Sequence, residues 1–326
     1  MKLGILGTGM IVQDLMNTFD ILGIEDATIL ATESTIDLAK EMISKHKISG
    51  YTLDYDELLD SDVDTIYVAL PNFLHYSFAK KALLKGKHVI IEKPITANSK
   101  ELKDLITIAK KQNKIILEAM NIPYIPVFKG IQKDIGKVGK IKIVSMNYSQ
   151  YSSRYNAFKQ GQILPVFDYH KAGGALMDIN VYNLSTVVNL FGQPKEVNYE
   201  ANIEKGIDTS GILTLDYGTF KAVCIGAKDC QAPVVNTIQG DEGFIKITTP
   251  MSQSVEYEVS SNKGDKETIK VEDPKHRLYY EFIEFNRIIN ELDFITANKM
   301  LDNSLIVSKV METARKQVNV IFDNDK

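Results

Sequence analysis

The feature that most constrains the fold is a glycine turn near the start of the sequence. Residues 2–6 form an apolar run that predicts a strand, residues 7–9 read Gly-Thr-Gly, and a helical pattern follows over 13–22. A strand, a glycine turn and a helix in this order form a dinucleotide fingerprint. Gly7 permits the tight turn, and Gly9 lets the backbone approach a pyrophosphate. Val12 occupies the third small position, so the fingerprint is incomplete and a purely structural turn is the alternative. The cofactor contacts expected from this segment are Gly7, Thr8, Gly9, Met10 and Ile11.

The pattern of the first 120 residues alternates between short apolar runs and longer helical stretches. Further strands are predicted at 28–32, 65–70, 88–91 and 115–119, with helices at 36–47 and 74–84 between them. This alternation is typical of parallel βαβ units. We therefore predict a doubly wound Rossmann domain over residues 1–120.

The pattern changes after residue 123. Runs at 141–148, 211–216, 220–225, 234–239 and 244–248 favour strands, and turn residues separate several of them. Helical patterns follow at 278–292 and 302–322. We predict a second α/β domain over residues 121–326, with an open, mainly antiparallel sheet and carboxyl-terminal helices.

Charge and composition narrow the classes of partner. The 326 residues carry 38 Lys and Arg against 42 Asp and Glu, a net charge of −4, which does not favour a nucleic-acid binder. No apolar run approaches the roughly 18 residues of a membrane span, and the first residues do not resemble a signal peptide. The two cysteines and five scattered histidines predict neither a disulfide framework nor a metal site. We expect a cytoplasmic protein that acts on a small molecule, without nucleic-acid or membrane partners.

An acidic residue after the second predicted strand bears on the type of dinucleotide. A carboxylate in the position of Glu33 can accept hydrogen bonds from the adenosine ribose hydroxyls and would repel a 2′-phosphate. This interpretation predicts NAD as the cofactor, with NADP less favoured. The alternative is a solvated carboxylate at the end of a strand.

Three further motifs, taken together with the glycine turn, carry a family resemblance. Glu-Lys-Pro at 92–94 and Pro-Asn-Phe-Leu-His at 71–75 each follow a predicted strand, and Gly-Gly-Ala-Leu-Met-Asp-Ile-Asn-Val-Tyr at 173–182 opens a helix. The combination resembles the glucose–fructose oxidoreductase / inositol dehydrogenase / rhizopine-catabolism (Gfo/Idh/MocA) family over essentially the whole chain. The resemblance implies an NAD(P)-dependent oxidoreductase acting on sugars, polyols or related alcohols. It also implies a homodimer or homotetramer that assembles through the open sheet.

The resemblance assigns roles to individual residues. Lys93 would lie beside the nicotinamide and the substrate hydroxyl, where an ammonium stabilises a developing alkoxide; the alternative is a lysine that merely precedes a proline-started helix. The other cofactor contacts implied by these motifs are Pro71, Asn72, His75 and Glu92.

Asp178 and Tyr182 are four residues apart on the predicted second-domain helix and are expected to share one face. The tyrosine resembles the branch that contains glucose–fructose oxidoreductase and the dihydrodiol dehydrogenases. A phenol has an unperturbed pKa near ~10, so it needs a cation such as Lys93 to act as acid and base. Asp178 would support the pair. The alternative is the solvated side of a helix, continuing through Ser185 and Asn189.

Several positions depart from the family pattern. Pro123 stands where an arginine is common, Asn180 replaces a usual glycine, and Glu33-Ser34 replaces the Ser-Arg pair of many NADP-using relatives. No arginine contact can therefore be carried over from the segment at 118–126.

Polar and aromatic side chains after the first strand of the second domain suit a sugar-like or carboxylated ligand. The residues expected to bind substrate are Tyr151, Arg154 and Asp168, with His170 beside them. A solvated loop is the alternative. For the whole chain, the alternative to an oxidoreductase is a dinucleotide-binding sensor or regulator without turnover, although such a sensor would not need Lys93, Asp178 and Tyr182.

Overall fold

The computed structural model describes residues 1–326 and divides them into two compact units. The first unit comprises residues 1–120 and 275–305, and the second comprises residues 121–274 and 306–326. We expected all residues after 120 to form one domain, but 275–305 packs with the first unit. Buried apolar side chains of this segment explain the difference, because they pack against the first 120 residues. Leu301 belongs to the same buried cluster as Leu102 and Leu105. Phe282 contacts Tyr67 edge-on with 5.2 Å between ring centroids.

A six-stranded parallel sheet forms the centre of the first unit. Its strands are β1 (Lys2–Leu6), β2 (Asp26–Leu30), β3 (Gly50–Thr52), β4 (Thr65–Val68), β5 (His88–Glu92) and β6 (Ile116–Ala119). The strand order is β3-β2-β1-β4-β5-β6, so the direction of winding reverses between β1 and β4. In sheets of this kind, ligands bind at the carboxyl ends of the strands near that reversal. The predicted Rossmann domain is confirmed.

Ten α-helices complete the two units. They are α1 (Met10–Met16), α2 (Ile36–Lys45), α3 (Tyr55–Asp60), α4 (His75–Leu84), α5 (Ser99–Gln112), α6 (Pro126–Asp134), α7 (Tyr155–Lys159), α8 (Val181–Phe191), α9 (Tyr279–Asn290) and α10 (Phe294–Gln317). None of them combines the length and the apolar character that a membrane crossing requires.

Five helices begin at residues other than those predicted. α4 and α9 begin one residue later, and α10 extends over Phe294–Gln317 rather than 302–322. The first helix and the helix after Glu-Lys-Pro also differ. The first begins at Met10 rather than residue 13, because the Gly9 carbonyl already accepts hydrogen bonds from the amides of Val12 and Gln13. The helix after Glu-Lys-Pro begins at Ser99 rather than directly after the proline. The Asn98 side chain caps it by accepting a hydrogen bond from the Glu101 amide at 2.9 Å.

An eight-stranded open sheet forms the second unit. Its strands are β7 (Ile141–Ser149), β8 (Glu196–Glu204), β9 (Ile207–Asp216), β10 (Lys221–Ala227), β11 (Asn236–Gly240), β12 (Gly243–Ile247), β13 (Glu256–Ser261) and β14 (Lys266–Lys270). Their order is β14-β13-β12-β11-β7-β10-β9-β8. Only β7 and β10 run parallel, so the sheet is mainly antiparallel, as predicted.

Candidate active site

The glycine turn of the first unit leaves room for a ligand at the carboxyl end of β1. Gly7 has a φ of +100°, and a Cβ there would lie 3.1 Å from the Ala69 carbonyl oxygen, so the turn favours glycine. A Cβ on Gly9 would meet nothing within 4 Å. This open space above the Gly9 backbone fits the approach of a dinucleotide pyrophosphate. Thr8 is buried, while Met10 is exposed and Ile11 is half-buried.

The other predicted cofactor residues of the first unit follow neighbouring strands at the same edge of the sheet. Glu33 is exposed in a short 3-10 turn that starts three residues after β2 ends. Pro71 and Asn72 begin the turn after β4, and Lys93 follows β5 directly. The sheet topology therefore places all four at the edge where Rossmann folds bind nucleotides.

His75 connects two of these turns through its buried imidazole. Its Nδ1 lies 3.0 Å from the Pro94 carbonyl oxygen and its Nε2 lies 2.8 Å from the Leu70 carbonyl oxygen. Burial lowers the pKa of His75 and favours a neutral ring. A neutral imidazole has one N–H, so it donates to only one of these two carbonyls at a time while its ring lies between the two turns. Direct contact of His75 with a cofactor stays a prediction.

Glu92 lies beneath the Glu-Lys-Pro turn as a buried carboxyl. It accepts hydrogen bonds from the Tyr67 hydroxyl at 2.5 Å and from the Lys93 amide at 3.2 Å. Burial raises the pKa of Glu92, and the Lys93 charge opposes that effect. The side chain thus fixes the backbone that carries Lys93.

Two further buried glutamates lie close enough to Glu92 for its charge to raise their pKa, and neither was predicted to be functional. Glu118 accepts a hydrogen bond from the Ile95 amide at 3.1 Å, while Glu281 of α9 is 1% exposed and its Oε2 has no hydrogen-bond partner. Burial is the main cause that raises the pKa of both groups, and neighbouring carboxylates add to it. Arg277 acts in the opposite direction on Glu281. For Glu281, the only signal in the sequence was its place directly beside the apolar positions of a predicted helix. For Glu118, it was an acidic residue within a predicted apolar strand.

We expect Glu281→Gln to stabilise the protein increasingly as pH rises. The pKa of Glu281 is raised in the folded state, so its contribution to stability is complete below the unfolded value and is lost as pH rises towards the folded value. Glutamine does not titrate. Thermal unfolding midpoints of variant and wild type, compared at about pH 5 and about pH 8, measure this. Glu284→Gln on the same helix removes a half-buried partner of Arg287 and serves as control. A difference between Glu281→Gln and wild type that stays constant with pH would contradict the assignment.

In the second unit, Gly174 allows the segment before α8 to approach β9 closely. Gly174 has a φ of +108°, and a Cβ there would lie 2.1 Å from Asp208 Oδ1. Asp208 accepts hydrogen bonds from the Leu176 amide at 2.7 Å and from the Tyr199 hydroxyl at 2.9 Å. Burial raises the pKa of Asp208 to about 6. Asp208 therefore anchors the segment that carries Asp178 and Tyr182.

A single helix was predicted to carry Asp178 and Tyr182, but it is not a regular α-helix throughout. Leu176–Asn180 forms a π-helical turn before α8 begins at Val181. Asn180 donates a hydrogen bond to the Cys224 carbonyl oxygen at 3.0 Å, and a Cβ on Gly226 would lie 2.5 Å from the Asn180 Cβ. The asparagine that replaces the family glycine thus attaches the turn to β10. Single π-turns within helices are frequent at functional sites.

Asp178 and Tyr182 are the accessible residues of this segment. Every other residue from 172 to 188 is buried, whereas Asp178 and Tyr182 are partly exposed. Ser185 is buried and hydrogen-bonded to Asn189, so the alternative of a continuous solvated stripe is wrong. Tyr182 packs against Tyr148 with 6.0 Å between ring centroids.

Lys228 forms an ion pair with Asp178 and was missed by the sequence analysis. Its Nζ donates to Asp178 Oδ2, and its side chain is only 9% exposed. No motif marked this residue, because its role depends on the pairing of β10 with β7 and β9. A lysine directly after a largely buried strand was the only available signal.

The predicted substrate residues lie on loops that adjoin this segment. The Tyr151 hydroxyl donates to Asn156 at 2.7 Å, and the Arg154 amide donates to the Ser152 hydroxyl. Asp168 caps the short turn before the glycines by accepting a hydrogen bond from the His170 amide at 2.9 Å. The His170 ring instead pairs with Asp323, with 2.7 Å between Nδ1 and Oδ2.

Comparison with known proteins identifies the class to which this fold and these motifs belong. Residues 1–120 match the model of an oxidoreductase family with an NAD-binding Rossmann fold, and residues 133–246 match the GFO/IDH/MocA C-terminal domain. The chain is 34% identical over 328 residues to scyllo-inositol 2-dehydrogenase (NADP(+)) IolU of Bacillus subtilis (strain 168), covering 100% of this chain and 99% of that protein. The chain therefore belongs to the Gfo/Idh/MocA family and is an oxidoreductase that uses a nicotinamide cofactor.

One further relative and one solved structure resemble the chain over nearly its whole length. Trans-1,2-dihydrobenzene-1,2-diol dehydrogenase of Danio rerio is 25% identical over 341 residues, covering 100% of this chain and 99% of that protein. The solved structure of KijD10, a 3-ketoreductase from Actinomadura kijaniata in complex with NADP and TDP-benzene, matches with a TM-score of 0.81 at 18% identity over 97% of both chains. The structural match confirms the fold.

Proposed function

We propose that this protein transfers a hydride between a nicotinamide cofactor and a secondary alcohol or ketone of a sugar, polyol or related small molecule. The observation that carries the proposal is the exposure of Asp178 and Tyr182 within an otherwise buried helix start. The named relatives act on an inositol, on a dihydrodiol and on a ketone, which supports this substrate class.

We assign three residues to the chemistry. The nicotinamide ring, when bound, supplies the hydride acceptor or donor. Tyr182 takes the hydroxyl proton during oxidation and returns it during reduction, which is general acid–base catalysis. Lys93 stabilises the negative charge that develops on the substrate oxygen and favours the phenolate of Tyr182. Asp178 orients the reacting groups.

The experiment is a turnover panel of polyols, sugars and their ketones with NAD(H) and NADP(H). Cofactor reduction that depends on a member of the panel supports the proposal. The rival function, a dinucleotide-binding sensor, predicts a change in NADH fluorescence on binding and no turnover with any member.

For the cofactor, we propose that Glu33 favours NAD over NADP. Its exposed carboxylate follows β2, where it would face a ribose and repel a 2′-phosphate. IolU is named as an NADP(+) enzyme and KijD10 was solved with NADP, so a preference of this protein for NAD would distinguish it from both. We expect tighter binding of NADH than NADPH, and a smaller gap in Glu33→Ala. Glu41→Ala, at an exposed position of α2, is the control. Equal affinity of the wild type for both cofactors would overturn this assignment.

We further propose that the open sheet forms the interface of a homodimer or homotetramer. Ile143 of β7 and Ile212 of β9 are 48% and 47% exposed, and Val223 and Ile225 of β10 lie between them on the same face. An exposed apolar sheet face of this kind is typical of an interface. We expect Ile212→Lys to dissociate the assembly in light scattering, while Ile295→Lys on α10 leaves it intact. A monomeric wild type at micromolar concentration would refute the interface.

A further inference from the structure

The position of Lys228 is fixed from both sides by the sheet of the second unit. Its amide donates to the Thr209 carbonyl oxygen at 2.9 Å, and its own carbonyl oxygen accepts from the Ser152 amide at 2.8 Å. The next residue, Asp229, accepts hydrogen bonds from the hydroxyls of Thr209 at 2.8 Å and Ser210 at 2.7 Å. The backbone that carries the lysine is therefore held against β9 and against the loop after β7.

Lys228 places a charged side chain in a largely buried position. Lysine is rarely buried unless it is paired, since removing an ammonium from water costs several kcal/mol. Its partner, Asp178, has a side chain that is 34% exposed, so the pair joins a buried cation to an accessible carboxylate. A bond from a fixed, buried donor restricts where that carboxylate can point.

We propose that Lys228 is a positioning residue that fixes the orientation of the Asp178 carboxylate beside Tyr182. Asp178 lies in the π-helical turn and Tyr182 in the first turn of α8, so a carboxylate held from β10 is fixed relative to the phenol on the same helical segment. This inference rests on the proposed function, in which Asp178 orients the reacting groups. Misplacing a group by about 1 Å can cost about 10²-fold in rate.

The test compares single and double variants for the alcohol that the wild type turns over best. We expect Lys228→Met to lower kcat/KM by about 10²-fold while leaving NAD(P)H binding unchanged. Asp178→Asn is expected to cost at least as much. The double variant is expected to be no worse than Asp178→Asn, because residues that act as a unit are not additive. Lys228→Arg keeps a cation and is expected to recover a large part of the loss.

The control is Lys221→Met, which removes another lysine–aspartate pair at the first residue of β10, the strand that ends directly before Lys228. Lys221 pairs with Asp216 at 2.7 Å in an exposed position, so turnover is expected to stay at the wild-type level. Full additivity of the Lys228 and Asp178 losses, or normal turnover by a folded Lys228→Met protein, would overturn the inference. Should that variant fail to fold, Lys228→Gln provides the same comparison.

A crystal structure of Lys228→Met, or of the glutamine variant, gives a readout that needs no substrate. We expect the Asp178 carboxylate to leave its wild-type orientation. Retention of that orientation would overturn the positioning role even if the wild type turned over no alcohol. Absence of turnover by the wild type would instead count against the proposed function.

Discussion

Tyr182→Phe is expected to bind the nicotinamide cofactor as tightly as the wild type and to lose about 10²–10⁴-fold in turnover. The substitution removes only the phenol oxygen from a half-buried ring that packs against Tyr148. The ring can keep this packing while the proton transfer assigned to the phenol is lost. Turnover of the best alcohol and fluorescence titration with reduced cofactor measure the two effects separately.

Tyr217→Phe is the matched control in the same unit. The Tyr217 hydroxyl donates to the Gly192 carbonyl oxygen at 2.8 Å, and its ring stacks on Phe220 with 4.6 Å between centroids. Loss of the Tyr217 hydroxyl is expected to lower the thermal unfolding midpoint slightly and to leave turnover unchanged. A folded Tyr182→Phe protein that turns over at close to the wild-type rate would remove Tyr182 from the mechanism.

Lys93→Met is expected to be about as damaging as the loss of the tyrosine. The Lys93 ammonium is assigned to stabilise the negative charge that develops on the substrate oxygen in the transition state. Removing one donor of this kind typically costs about 10²–10³-fold in kcat. Methionine keeps much of the apolar stem. Because Glu92 accepts a hydrogen bond from the Lys93 amide, which the substitution keeps, the turn is expected to keep its backbone.

The double variant decides whether Lys93 and Tyr182 act together. If the ammonium favours the phenolate, Lys93→Met combined with Tyr182→Phe is expected to be little worse than either change alone. Lys85→Met, which breaks an exposed pair with Asp60 in the same unit, controls for the loss of a surface charge. Losses that multiply in the double variant would show that the two residues act independently.

Five of the six strands of the parallel sheet could be predicted, most of them because they are buried apolar runs. The exception is β3, whose three residues are all half-buried and which was not predicted. Every residue of β4 and β5 is buried, and such runs stand out between helical patterns. The edge strands β8 and β14 could not be predicted in this way. Edge strands commonly carry charges that discourage further pairing, and β14 reads Lys-Glu-Thr-Ile-Lys.

Part of the candidate site could likewise be predicted from the sequence, and part could not. The glycine turn, Lys93, Asp178 and Tyr182 belong to local motifs and are visible in the sequence. The π-helical turn depends on the hydrogen bond from Asn180 to Cys224, and the partner of Asp178 comes from the end of β10. Both depend on contacts between residues far apart in the chain, which periodicity and spacing do not encode.

The central claim, that this chain transfers a hydride from an alcohol carbon to a nicotinamide, is tested most directly by isotope transfer. A polyol that supports turnover is deuterated at the carbon bearing the reacting hydroxyl, and the reduced cofactor is isolated and analysed by mass spectrometry and proton NMR. We predict one deuterium in the reduced nicotinamide ring, on one face only. Tyr182→Phe is expected to form about 10²–10⁴-fold less of this labelled cofactor over the same interval. Binding of the cofactor without any reduction across the panel, or reduced cofactor that carries no deuterium, would contradict the claim.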